Sequence, residues 1–194
     1  MLNNKLIEER VDPRIIRTRN LLQQAFIQMV SENGFHAVSV QDIAERAGVN
    51  RTTFYLHFPD KYALLDYTFG QLFRQEIDKR MTNVYRFSTE QLRLLIITVF
   101  EFVFNITSHC LVHEPQFETL IESQVKKQLQ AYLRTWIENA DIRVDLETAA
   151  TAASWAIYGL AQQWSHEKKR MPVEAFADRV LPLIAANLGL AQPA

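Results

Sequence analysis

The sequence predicts an all-α protein in which a small N-terminal three-helix unit is joined by a long helix to a larger helical bundle. Three observations carry this. Apolar residues recur at i, i+3, i+4 and i+7 over long stretches, the period of a helix. Only 5 glycines and 6 prolines occur in 194 residues, so turn signals are few. And 48% of the chain is hydrophobic against 22% charged, which supplies a sizeable core and excludes disorder as the main state.

The elements follow in order. Asp12-Pro13 opens the first helix, because an aspartate caps free N–H groups and proline lacks the one that would be unpaired. Ile15, Leu22, Phe26 and Met29 fall on one face, and Asn33-Gly34 ends it. Ser39 to Asp42 reads as a capping box opening a short second helix, with Val40, Ile43, Ala44 and Ala47 on one face. Gly48 stops that helix. Asn50 caps a third, from Arg51 to about Phe58, which Pro59 cannot continue. A long fourth helix runs from Lys61 to about Tyr85. The fifth, from Ser88 or Thr89 to about Ser108, is apolar nearly all round and should be central. The sixth spans Pro115 to about Asn139, the seventh Asp145 to about Glu167, and the eighth Pro172 to about Asn187, with Pro182 expected to kink or split it. Two domains are expected, residues 1–62 and 63–194.

The chain carries 21 Lys+Arg against 22 Asp+Glu, so it is no polycation, and any nucleic-acid contact must come from a local basic surface. Residues 1–62 hold 8 Lys+Arg against 7 acids. Cys110 is the single cysteine, which excludes an intrachain disulfide framework and fits a reducing cytoplasm. The first ten residues lack the apolar segment of a secretory leader. The most apolar run, Leu92 to Ile106, contains Arg93 and Glu101 and falls short of the ~20 residues of a membrane helix, so a buried core helix is expected and no membrane partner.

The most informative stretch is SVQDIAERAGVNRTTFYLHFPDK, from Ser39 to Lys61: two short helices joined by a three-residue turn that begins with glycine, the form of a helix-turn-helix. A small residue in the turn lets the second helix cross the first closely. Ile43, Ala44, Ala47, Val49, Phe54 and Phe58 provide the inside, leaving Arg51, Thr52, Thr53, Tyr55 and Leu56 on a free face suited to base edges and phosphates in a major groove.

From about Arg14 to Leu65 the chain resembles the DNA-binding domain of the TetR/AcrR family of bacterial transcriptional regulators. The resemblance rests on the capped first helix ending in Asn33-Gly34-Phe35, on Val38-Ser39-Val40 and Asp42 to Val49, and on Thr53 to Phe58 followed by Lys61 and Leu64-Leu65. It covers about a quarter of the chain, and the ordered combination is specific. It implies that Arg51, Thr52 and Tyr55 touch bases or nearby phosphates, and that Gln41 also reaches a base. It further implies that Ser39, Thr53, Tyr55, His57 and Lys61 contact phosphates. The partners it implies are double-stranded DNA with an inverted-repeat operator, a second copy of the chain, and a small apolar or aromatic effector. Arg14 and Arg17, early in the first helix, lie where a DNA backbone could pass.

Outside that stretch the signals are weaker. His109 and His113 stand at i, i+4 beside Cys110 and Glu114, but with apolar Leu111 and Val112 between and no further ligand, so no metal and no cofactor is expected. Phe100, Phe104, Phe117, Tyr132, Trp136, Trp155 and Tyr158 are candidate walls of an effector chamber, with Asn105, His113, Gln124, Gln128 or Gln162 as polar anchors. Such a chamber would suit an uncharged ligand. The small residues of the seventh helix, with the eighth, offer a four-helix dimer face. No enzyme motif such as GxSxG, HExxH, P-loop or GxGxxG is present, and the chain is read as a non-enzyme. The reading is a cytoplasmic homodimeric repressor released by its effector. The alternative is a helical co-regulator or activator controlled by a protein partner, and a solid core would favour it.

Overall fold

The computed structural model describes residues 12–81, 88–109, 115–139 and 144–190, except the side chains of 109, 115–118 and 139. Among the described residues it contains eight helices and no strand. They are α1 (Pro13–Asn33), α2 (Val40–Arg46), α3 (Arg51–His57), α4 (Lys61–Arg80), α5 (Thr89–His109), α6 (Pro115–Asn139), α7 (Leu146–His166) and α8 (Val173–Asn187). The chain divides into two compact units that part inside α4, between Thr68 and Phe69.

In the first unit the caps form as the sequence dictates. The Asp12 carboxylate accepts from the Arg14 N–H at 2.9 Å. Ser39 and Asp42 complete a reciprocal box, and the Asn50 side chain accepts from the Thr53 N–H at 2.7 Å. Leu22, Phe26, Phe35, Ile43, Phe54 and Leu64 pack the centre at 2% exposure or less. Ile15, which shares a face with Leu22, Phe26 and Met29 by periodicity, is 37% exposed, whereas those three are buried. Gly34 and Gly48 both hold positive φ, 79° and 69°. Apart from Gly48 itself and the residues adjoining it, no heavy atom lies within 4 Å of where a Cβ on Gly48 would sit. The turn therefore demands glycine for its left-handed backbone and not for close helix crossing, which corrects the expectation from sequence.

In the second unit α5 is the central helix and packs against α7 and α8, while α6 lies along α7. Among the described residues α5 is long and apolar enough to cross a membrane, yet Leu92, Leu95, Ile96, Val99, Phe100 and Val103 are 2% exposed or less inside the unit, as a core helix requires. Phe100 meets the rings of Trp164 and Phe176 at 6.0 and 5.6 Å. Arg93 of α5 grips Asp178 of α8 through a two-point ion pair (Nη2 to Oδ2 3.0 Å). Pro182 does not split α8, which runs unbroken from Val173 to Asn187. Its ring is exposed, so the N–H it lacks leaves no orphaned group in the core.

Candidate nucleic-acid interface

The site is the outer face of α3 and the two turns that hold it. Phe54 anchors the helix from below, fully buried and edge-on to Tyr55 at 5.6 Å and tilted to Phe58 at 6.0 Å. The α2–α3 turn is tied back by N–H donation from Gly48 to the Glu45 carbonyl (3.0 Å) and from Val49 to the Ala44 carbonyl (2.9 Å). With both ends fixed, α3 presents Arg51, Thr52, Tyr55 and Leu56 to solvent.

These side chains are partly pre-arranged. Arg51 Nη2 donates to the Tyr55 hydroxyl at 3.3 Å, and its guanidinium carbon lies 5.8 Å from the Tyr55 ring. Cation and phenol thus form one unit with several donors left for bases or phosphate. Thr53 is half-buried, and its hydroxyl donates to the Asn50 Oδ1 at 3.0 Å, leaving only acceptor capacity. Gln41 is exposed on α2 and donates to Glu45 Oε1 at 3.0 Å. The Ser39 hydroxyl donates to Asp42 Oδ2 at 2.6 Å. These bonds hold the Asp42 carboxyl below the usual aspartate range. His57 is half-buried at the end of α3, where burial and, secondly, the nearby Arg19 charge push its pKa down. Cationic character at this end of the helix therefore comes from Arg19, whose guanidinium carbon sits 5.9 Å from the Phe58 ring and 5.6 Å from the Tyr67 ring.

Lys61 has a role that the sequence did not signal. Its Nζ donates to the carbonyls of Phe35 (3.0 Å), His36 (3.4 Å) and Val38 (2.9 Å) and lies 4.5 Å from the centre of the Phe35 ring. The ammonium is spent on the α1–α2 connection, pinning it to the start of α4. Arg46 is likewise engaged, with Glu32 at 3.1 Å, which also neutralises an acid of this unit. Arg14 and Arg17 are exposed.

The second unit holds a cavity of about 420 Å³ lined by Glu101, Phe104, Asn105, Trp164 and Val173. Among the described side chains, Phe104 is the one residue of the expected chamber that lines it, and Asn105 the one expected anchor. Phe100, Trp136 and Tyr158 are buried at 0%, 1% and 6% exposure. Tyr132 is half-buried and donates to Asp78 at 3.1 Å; burial first, then this bond, pushes its pKa up to about 12. Trp155 is corrected. It is 61% exposed on α7, with Lys126 Nζ 3.7 Å from the centre of its ring, because its position faces away from α5. Phe117 and the His109–Glu114 segment, including Cys110 and His113, lie outside the described side chains.

Residues 24–68 match the bacterial regulatory proteins of the tetR family. Over 182 residues the chain is 28% identical to an uncharacterized HTH-type transcriptional regulator, YxbF, of Bacillus subtilis (strain 168), covering 91% of this chain and 47% of that protein. The chain thus spans about half the length of that relative. Among solved structures, a TetR-family regulator from Streptomyces coelicolor A3 superposes with a TM-score of 0.62 at 17% identity, covering 89% of this chain and 95% of the other. The transcriptional regulator FadR from Bacillus subtilis, in complex with stearoyl-CoA, superposes with a TM-score of 0.53 at 21% identity, covering 87% and 98%. The matched segment, residues 24–68, is the capped, glycine-turned helix pair with the fourth-helix start described above, and over it the chain is similar to the tetR family of bacterial regulatory proteins.

Proposed function

We propose that this protein is a homodimeric, cytoplasmic transcriptional regulator that binds an inverted-repeat operator through α3 and acts as a repressor. The observation that carries the reading is the outward face of α3: a cation, hydroxyls and an apolar side chain, exposed among the described residues, with Arg51 hydrogen-bonded to Tyr55. A helix so presented fits a major groove. DNA contact is assigned to residues 1–62, with Arg51, Thr52 and Tyr55 at bases and Gln41 beside them. Ser39, Thr53 and His57 are assigned to the phosphates flanking the groove. Lys61 is reassigned from phosphate contact to holding the α1–α2 connection in place.

Regulation is assigned to residues 63–194. The cavity beside α5 combines two aromatic walls, Phe104 and Trp164, with the Asn105 amide and the Glu101 carboxylate, which Arg80 already neutralises. That lining suits a neutral, partly aromatic effector with a hydrogen-bonding group. The stearoyl-CoA complex of the FadR structure supports the fold as one that can hold an organic ligand. Release of DNA follows only if the effector prefers one arrangement of the two half-site readers over the other. A second copy is assigned to the outer faces of α7 and α8. Ala149, Ala150, Ala153 and Ala161 are used up inside the chain, but Ala152, Trp155 and Gly159 share an outward face, and Leu183 of α8 is 64% exposed.

The test is selection of bound duplexes from random-sequence DNA. The expected product is an inverted repeat, with Arg51→Ala relaxing the preference at one position per half-site by ~1–3 kcal/mol. An effector found by library screening should quench Trp164 while releasing that duplex. Recovery of no preferred sequence would overturn the proposal.

A further inference from the structure

We propose that Leu56 is a specificity-determining residue that reads a thymine methyl group on the floor of the major groove. This rests on the reading that α3 docks there. Leu56 is 79% exposed, more than any other large apolar side chain among the described residues. At about 100° per residue, Leu56 and Thr52 each stand roughly 160° around α3 from Phe54, on either side of the point opposite that buried anchor. The centre of the presented face is therefore an isobutyl group beside a hydroxyl, with the Arg51–Tyr55 pair along one edge.

The chemistry narrows what Leu56 can meet. It has no donor or acceptor, so it cannot satisfy a phosphate oxygen or a base amide. Pressed against a cytosine amino group or a guanine oxygen, it would strip water from a polar atom and return nothing. The apolar feature of the major groove is the C5-methyl of thymine. Contact with it removes both groups from water, and among the described residues none covers Leu56. Arg51 and Thr52 can be satisfied by several base edges, whereas Leu56 discriminates against polar ones. The side chain thus adds a thymine requirement that the polar residues alone would not impose.

The experiment uses the full chain and the tightest duplex it selects from random-sequence DNA. Each thymidine is replaced in turn by deoxyuridine, which removes the methyl and leaves the pairing edge intact. The wild type should lose about fourfold in affinity at one position in each half-site, the worth of one buried methyl-sized group. Leu56→Ala, whose side chain supports no packing, should bind the thymidine duplex more weakly by a similar factor. It should show no further loss on the deoxyuridine duplex and should accept other bases at that position. Circular dichroism checks that the variant keeps its helices. The proposal is overturned if every single methyl removal costs the wild type less than about twofold, or if Leu56→Ala retains the full methyl effect. A wild type that selects no sequence at all would instead overturn the parent reading and this one with it.

Discussion

Replacing Lys61 by methionine separates two roles that would both weaken DNA binding. Methionine keeps the apolar stem and removes the ammonium. In the structure that ammonium donates to three main-chain carbonyls at 2.9, 3.0 and 3.4 Å and lies over the Phe35 ring. A hydrogen bond to a charged group contributes about 1.5–3 kcal/mol when measured by deletion. Lys61 is half-buried, so water re-solvates part of what is lost, and the geometry supports a net cost of roughly 2–3 kcal/mol, ring contact included. Trp136, Trp155 and Trp164 all lie beyond Thr68, so the first unit carries no tryptophan reporter of its own. Amide hydrogen exchange at Phe26 and Ile43 is the suitable assay, and 2–3 kcal/mol predicts protection reduced by about 30–150-fold. The salt dependence of binding to mixed-sequence duplex DNA should keep its slope, because no phosphate contact is lost. Unchanged exchange together with a slope shallower by about 0.9 would refute the reasoning and return Lys61 to the phosphate backbone.

Asn50→Ala removes the side chain that accepts from the Thr53 N–H and hydroxyl. It should destabilise the first unit by about 1 kcal/mol, read as faster exchange in α3, and weaken all DNA sequences together. Trp155→Glu and Leu183→Asp change side chains that the chain itself leaves exposed, so sedimentation should show folded monomers that no longer grip a full inverted repeat; a dimer surviving both changes would move the interface elsewhere. For His57 the folded pKa is depressed, so the unfolded chain binds the proton first as pH falls. Its contribution to stability is therefore complete above about pH 6.5 and declines below it, until the folded group also titrates. His57→Gln should flatten that decline in an exchange experiment on α3, and an unaltered profile would exclude His57 as its source.

Much of this protein was legible in its sequence because the signals were local. Asp12, Ser39, Asn50 and Asp145 cap helices through bonds to groups within three residues, so a short stretch of chain suffices to place those starts. The period of α5 announced a buried helix, and the glycine between α2 and α3 announced the turn, though for a backbone reason and not a steric one. Periodicity also picked out Arg51, Thr52, Tyr55 and Leu56 as presented, but not that Thr53 is half-buried and bonded to the Asn50 cap.

What only the tertiary structure decided are partnerships between residues far apart in the chain. Lys61 reaches back 26 residues to Phe35, and no local pattern distinguishes that clamp from a phosphate contact. Arg19 settles over aromatic rings of α4 and the α3 end, adding from a separate helix to the burial that lowers the His57 pKa. Trp155 carries the same apolar character as Trp136 and stands on an equally regular helix, yet one is 61% exposed and the other 1%. Sequence determines which helices have apolar stripes. Which part of a broad stripe is covered depends on how many neighbours fit around α5, and that is a property of the packed bundle alone.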